Sequence, residues 1–316
     1  LGALVGDASI SKFDRENRSY DVITQVRPGE RARPDVIRKT AREMARAAPA
    51  TIVHPGRHAV WYGDDTQRSR AIAILNALLG SWNREGGFYI PERVNLPEYP
   101  VPEYPQPKLK TADAYPGKWP FASQGVTNGV IEASVGEEAF FKGWLVYGTN
   151  LPQTIPNVEA KLKAAADSLD LIVVVETMPS EMTGYADVIL PECTYLERYD
   201  DLRNSGERHP SLALRMPAFE PKYDSKPGWW IAKQLGERLG LADYFPWQDY
   251  AEKIDWELKQ VGSSLEEMQQ IGVKNFPRRY PLYVTEGQNV RFYTPSGKIE
   301  LWSSLLAETG QSPELG

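Results

Sequence analysis

Gly148-Thr149-Asn150 and Glu176-Thr177 are two short polar sets, each placed directly after an apolar run: "WLVY" before the first and "LIVVV" before the second. Residues of these types at these positions can hold a nucleotide-like ligand. A glycine lets a ligand approach the backbone closely. Asn150 and Thr154 offer hydrogen bonds, and Glu176 can accept from a hydroxyl or from a purine amino group. A helix near Asn157 can aim free N–H groups at a phosphate. The pattern leaves a second reading equally open, in which Asn150 and Thr154 cap the following helix and Glu176 is an ordinary loop residue. The sequence has neither G-x-G-x-x-G nor a Walker lysine motif, so ordinary dinucleotide or ATP binding lacks its signature.

The elements that must position these residues are predicted from their periodicity. Strands are expected near 144–148, 171–175 and 188–190. Between them lie a helix with Val158, Leu162, Ala165 and Leu169 on one face and a short helical segment over 179–185. Short apolar strands alternating with helices predict an α/β fold, with parallel sheet flanked by helices. In such sheets ligands bind outside the carboxyl ends of the strands, so both polar sets should emerge on one edge. Upstream, Pro34 suits a first helical turn, and Ile37, Ala41, Met44 and Ala48 recur at helix spacing. A short strand over 51–53 is expected to run into Pro55 and Gly56. A helix from about residue 65 to Leu79 is apolar nearly all round over Ala71–Leu79, which predicts burial. Residues 1–33 give no clear element. The proline- and tyrosine-rich run over 91–120 reads as a flexible linker or as an extended segment laid over a surface. Its regularly spaced Tyr99 and Tyr104 favour the latter. Helices are expected over 227–240 and, in two pieces, over 249–272. A hairpin should turn at Pro295-Ser296-Gly297.

Composition excludes several classes. A net charge of −6 argues against a nucleic-acid surface. No apolar run approaches the roughly 18 residues of a membrane span, and no basic amphipathic face suggests direct membrane insertion. One cysteine, Cys193, cannot supply an Fe–S cluster or a cysteine-ligated zinc knot within this chain. Three histidines are thin material for a histidine-rich metal site. The dense charges of "ECTYLERYDDLRNSGERHP" bring Glu192, Glu197 and Asp200 together, and a solvated face is the expectation over a catalytic carboxylate pair. Leu1 at the start and "QSPELG" at the end suggest a piece of a longer protein, with no signal peptide in view.

Four long stretches carry a resemblance: "HPGRHAVWYGDDTQRSRAIAILNALLGSWNREGGFY", "WLVYGTNLPQTIPN", "LDLIVVVETMPSEMTGYADVILPECTYLER" and "YDSKPGWWIAKQLGERLGL". In this order and spacing they resemble the large subunit of molybdopterin oxidoreductases of the dimethyl sulfoxide reductase family. The first looks most like the polysulfide and thiosulfate reductase branch. The similarity covers about Pro34 to Leu301, the middle of that subunit. It implies parts of the two central α/β domains. On this reading 1–120 is the closing part of one domain with the Pro/Tyr-rich segment. Residues 121–245 are part of the pterin-binding domain, and 246–316 form a helical connection and hairpin toward a further C-terminal domain.

The resemblance implies a cofactor, molybdenum bis(molybdopterin guanine dinucleotide), and a [4Fe-4S] cluster in an N-terminal part beyond this chain. Carried over by position, Gly148, Thr149, Asn150, Thr154, Val175, Glu176, Thr177 and Asp187 resemble the residues that hold one guanosine end. Asp187 also reads as a helix-to-strand turn carboxylate. Gly56, Arg57 and His58 resemble the loop beside the pterin and the metal funnel. Arg57 could steady an anionic substrate or a pyrophosphate with its planar fork, and His58 could relay a proton; each could equally be a surface or ion-pair residue. Trp61 and Tyr62 could line the funnel or belong to the core. Cys193 is not implied as a metal ligand. The function implied is the catalytic subunit of a reductase for polysulfide, thiosulfate or a related oxyanion, in anaerobic respiration. Its implied partners are an iron–sulfur electron-transfer subunit and a quinol-linked membrane anchor subunit, outside the cytoplasmic membrane or in the periplasm. Alternatives are a cofactor-free structural subunit of a respiratory complex and an unrelated nucleotide-binding module.

Overall fold

Parallel pairing dominates the region of the two polar sets. Strands β3 (Gly143–Tyr147), β4 (Leu171–Glu176) and β5 (Val188–Pro191) form one sheet in the order β3-β4-β5, both pairs parallel. The structure, a computed structural model, describes residues 9–15, 18–23, 33–56, 65–104, 129–155, 158–285, 288 and 292–315. The chain divides into two units. One holds residues 1–92, 206–210 and 277–316; the other holds 93–205 and 211–276.

The second unit contains the sheet. Trp144 and Val146 of β3, with Ile172 and Val174 of β4, point to one face because side chains alternate along a strand. There they meet Leu162 and Ala165 of the helix Glu159–Ser168, both fully buried, together with Val158 before it and Met182. The periodicity over 158–169 therefore reports a real core face. A 3-10 segment, Glu181–Tyr185, occupies the expected short helical connection. A second core joins Leu202 and Leu212 to Ile254, Leu258 and Met268. It lies between the antiparallel strands β6 (Arg203–Ser205), β7 (Ser211–Ala213) and β8 (Val273–Asn275) and the helices Tyr250–Gln260 and Leu265–Ile271. Those two helices are capped as their sequences suggest: Asp249 accepts from Ala251 N–H, and Ser264 from Glu267 N–H. The helix Gly228–Arg238 fills the remaining expected position.

The proline-rich run is laid over a surface as far as it is described, to Tyr104. Tyr99 packs at 5.5 Å from Trp247 and 5.2 Å from Trp256, and Tyr104 stacks on Tyr244 at 5.4 Å. Residues 105–120 lie outside the described residues.

In the first unit the helix Pro34–Ala47 begins at the expected proline, but Ile37 remains 45% exposed. Strands β1 (Ser9–Arg15) and β2 (Arg18–Ile23) form an antiparallel hairpin where the sequence suggested no element; their alternation is too polar to stand out. Three further expectations are corrected. Residues 51–53 form no strand, because both backbone groups of Val53 are taken by the side chain of Asn76: Oδ1 accepts from Val53 N–H at 2.9 Å and Nδ2 donates to its carbonyl at 2.8 Å. The helix Asp65–Leu78 is not buried all round, since Leu78 is 80% exposed while Asn76 is 2% exposed. Around Pro295-Ser296-Gly297 a turn forms, with Gly297 N–H donating to Thr294, but no strand ladder flanks it among the described residues.

Asn76 thus acts as a backbone surrogate. Replacing it with alanine leaves a buried N–H and a buried carbonyl unpaired. Asn76→Ala should lower unfolding free energy by about 2–4 kcal/mol, from roughly 1–3 kcal/mol per orphaned group. A urea titration followed by circular dichroism checks this, and an unchanged midpoint would show that water replaces the amide at no cost.

Candidate functional site

The site grows from the carboxyl edge of the β3-β4-β5 sheet. Tyr147 pairs with Val175 in register, and Gly148 N–H donates to the Val175 carbonyl at 3.1 Å. The loops after β3 and β4 therefore leave side by side. Gly148 turns there with φ +56°, a left-handed conformation that favours glycine, and no atom lies within 4 Å of the point where a Cβ would stand. The backbone is bare and open at that turn. Thr149 and Thr177 are exposed and Met178 is 68% exposed. Glu176 ends β4 half-buried. Its Oε1 accepts from Thr177 N–H at 2.9 Å and from the Thr177 hydroxyl at 3.3 Å, and no described residue donates to its Oε2.

Other expected ligand residues are engaged within the protein. Asn150 neither caps the next helical turn (Leu151–Thr154) with its side chain nor faces a ligand freely. Its Oδ1 accepts from Met182 N–H at 3.2 Å, and its Nδ2 donates to Glu181 Oε2 at 2.6 Å. Gln153 donates to the other oxygen of Glu181 at 3.0 Å. The donating amide of Asn150 holds the Glu181 carboxyl below its ordinary range. Asn150 therefore fastens the loop after β3 to the one between β4 and β5. Thr154 donates to the Asn150 carbonyl. Asp187 accepts from Ile172 N–H at 2.7 Å, the turn role that its sequence context allowed. Val175 is buried, so only its backbone reaches the edge. Gly56 is described, with φ +68° and its N–H donated to His54 Nδ1; Arg57, His58, Trp61, Tyr62 and Asn157 lie outside the described residues.

Sequence reasoning missed the ionic core beneath this edge. Glu192, just after β5, is buried rather than solvated. Its Oε1 accepts from the Tyr147 hydroxyl and pairs with Arg198 at 2.7 Å. Arg198 also donates to Asp200 at 2.8 Å and to the Cys193 carbonyl at 2.7 Å, and Asp200 binds Arg215 at 2.8 Å. These carboxylates are structural partners of arginine, not an acid–base pair. The helix Gly228–Arg238 closes over the group: a Cβ on Gly228 would fall 2.5 Å from both the Tyr147 hydroxyl and Glu192 Oε1, so a larger residue would have to displace that pair. Burial raises the Arg198 environment's cost, but the Asp200 hydrogen bond and the Glu192 charge keep its guanidinium pKa above the usual value. Burial also pushes the Cys193 thiol up, which suits an inert thiol. The only cue in the sequence was an arginine six residues after Glu192 in a charge-rich stretch, which equally describes a surface.

Among the described residues no group of three or more His, Cys, Asp or Glu could hold a metal, and no helix is long and apolar enough to cross a membrane. What the edge offers is a cradle for an organic group: an open glycine turn, two threonines and one free carboxylate oxygen. That donor and acceptor set fits the ribose or purine end of a nucleotide-bearing cofactor.

Comparison with known proteins shows the family. Residues 39–238 match the family described as molybdopterin oxidoreductase. The thiosulfate reductase molybdopterin-containing subunit PhsA of Salmonella typhimurium is 33% identical over 311 residues, an alignment covering 87% of this chain and 41% of that protein. The dimethyl sulfoxide reductase DmsA of Escherichia coli is 25% identical over 309 residues, covering 89% of this chain and 37% of that protein. The chain thus spans about two fifths of the length of these relatives. Among solved structures, the acetylene hydratase from Pelobacter acetylenicus matches with a TM-score of 0.49 and 25% identity, over 59% of this chain and 25% of that one.

Two outcomes follow from the buried ionic group. Glu192→Ala takes one of two carboxylate partners from Arg198 and the acceptor from the Tyr147 hydroxyl, and should destabilise the fold by about 1–3 kcal/mol, whereas Glu192→Gln, which keeps an acceptor, should lose less; denaturation of the three proteins decides it. Second, burial, then the Glu192 hydrogen bond, pushes the Tyr147 hydroxyl from 10.0 up to about 12. A raised pKa favours the protonated form in the folded state. The contribution is complete below pH 10 and should be lost as pH rises through about 12. Melting temperatures of the wild type and Tyr147→Phe should therefore converge over that window, and parallel curves would contradict the assignment.

Proposed function

Because the chain belongs to the molybdopterin oxidoreductase family, we propose that it is part of the catalytic subunit of a molybdenum–pterin reductase acting on polysulfide, thiosulfate or a related oxyanion in anaerobic respiration. The observation that supports this reading is the open edge at Gly148 and Glu176, whose bare backbone and exposed polar groups suit the nucleotide end of a pterin cofactor. The likeness over 87% of this chain to a thiosulfate reductase subunit supports the choice of substrate class. We assign the cofactor its guanine dinucleotide form on the same grounds: a free carboxylate oxygen suits a purine amino group.

In this reading Glu176 Oε2 accepts from the base, Thr149 and Thr177 bind the sugar or phosphate oxygens, and the Gly148 turn lets the ligand lie against bare backbone. Asn150, Thr154 and Asp187 hold the loops in place. Gly56, Arg57 and His58 are assigned by resemblance alone to the pterin and substrate side. When bound, the metal centre supplies the two-electron chemistry, while the protein positions and shields it. The electron source would be a [4Fe-4S] cluster and an iron–sulfur partner subunit, coupled to a quinol-linked membrane anchor on the outer face of the cytoplasmic membrane.

The test uses the complete subunit. Glu176→Ala should keep its circular dichroism spectrum yet retain less molybdenum and pterin after purification, with thiosulfate reduction falling in proportion. Loss of one hydrogen bond to a charged group is worth about 1.5–3 kcal/mol. Full cofactor content in this variant would remove the guanine contact. A wild-type subunit purified intact without molybdenum would remove the enzyme reading itself.

A further inference from the structure

An aromatic cavity in the second unit is the feature that the proposed function does not use. It has a volume of about 510 Å³, within the range of small-molecule sites. None of its lining residues belongs to the loops at Gly148 or Glu176. Tyr99, Trp229, Phe245, Trp247 and Tyr250 contribute rings to its wall. These rings brace one another: Trp229 stacks on Tyr250 at 5.6 Å and 13°, while Trp247 meets Tyr99 edge-on at 5.5 Å and Phe245 at 5.9 Å. A wall so packed is pre-formed and does not need to order itself around a ligand.

The charge of the lining selects the ligand. Three carboxylates, Asp201, Glu257 and Glu98, face one ammonium, that of Lys253. Lys253 is already consumed: it pairs with Asp201 at 2.9 Å and Glu257 at 2.8 Å, and its Nζ sits 5.0 Å from the centroid of the Tyr250 ring. The cavity is therefore net negative, and the faces of its rings add further negative potential.

We propose that this cavity binds a small organic cation, a quaternary or alkylated ammonium ion. Ring faces of the wall take the alkylated ammonium, and Glu98, which is not among the partners of Lys253, supplies the opposing charge. An anion is disfavoured by the carboxylates, and a neutral apolar molecule leaves the charge unanswered.

The probe is choline, compared with its neutral isostere 3,3-dimethyl-1-butanol, each titrated calorimetrically into the complete subunit. Choline should bind at one site, at least about tenfold more tightly than the isostere, as cation–π and ionic contacts require. Glu98→Gln, an exposed change that leaves the melting temperature unaltered, should weaken choline severalfold and the isostere not at all. Trp229→Leu should weaken choline by about tenfold or more. Equal binding of choline and isostere would reduce the site to an apolar cavity and overturn the proposal. So would the absence of choline binding at ~20 mM, far above what such a cage should need, or choline affinity unchanged in Glu98→Gln.

Discussion

Parallel pairing between β3 and β4 is the constraint on which the functional reading rests. Parallel strands cannot be joined by a tight turn, so each must be followed by a crossover and all carboxyl ends fall on one edge. The five-residue register from Gly143–Leu171 to Tyr147–Val175 fixes which residues arrive there together. A slip by one residue would turn Val174 away from the core and carry Glu176, on the same face of the strand, to the opposite side with it. The apolar side chains of Ile172 and Val174, both nearly inaccessible, make that slip costly. The position of Gly148 beside Glu176 is thus a consequence of core packing and not of any contact between the two polar sets.

Polar fasteners then stiffen what the sheet brings together. Asn150 links loops 32 residues apart through Met182 N–H, and Arg198 gathers Glu192, Asp200 and the Cys193 carbonyl. Buried ion pairs of this kind contribute little net stability, because desolvation offsets most of the Coulombic gain. What they add is position. Tyr147 immediately precedes the glycine turn, and its hydroxyl is held by Glu192, so the strand end cannot fray independently of β5. Gly228 completes the arrangement by letting a helix approach without displacing the Tyr147–Glu192 pair.

The sheet, its crossover helix and the edge were legible in the sequence because each rested on unbroken apolar runs with the right period. Leu162, Ala165, Ile172 and Val174 are as buried as that pattern requires. Side chains that substitute for backbone partners were not legible. Asn76 takes both hydrogen-bonding groups of Val53, so a β-branched triplet that reads as a strand pairs with no strand. Asn150 looked like a helix cap or a ligand group, and its actual partner is set by tertiary contact. Glu192 stood in a charge-rich stretch whose average character is that of a surface, yet one buried arginine reverses the environment of a single carboxylate. In each case the deciding interaction spans a separation that local pattern does not encode.

The proline-rich run illustrates how an irregular segment becomes a wall. Prolines restrict the unfolded chain, so fixing 95–104 forfeits less entropy than an equal length of ordinary loop. They also present no N–H that burial would orphan. That leaves the tyrosines to set the position: Tyr99 lodges between Trp247 and Trp256, and Tyr104 lies on Tyr244, whose hydroxyl donates to the Glu103 carbonyl at 3.1 Å. At Val94 the segment is tied by Asn204, which accepts from its N–H at 3.1 Å and donates to its carbonyl at 2.7 Å. This is the same side-chain surrogate for a strand partner that Asn76 provides to Val53. An extended chain so anchored needs no sheet to hold it. Its tyrosines, fixed by these contacts, contribute to the cavity wall.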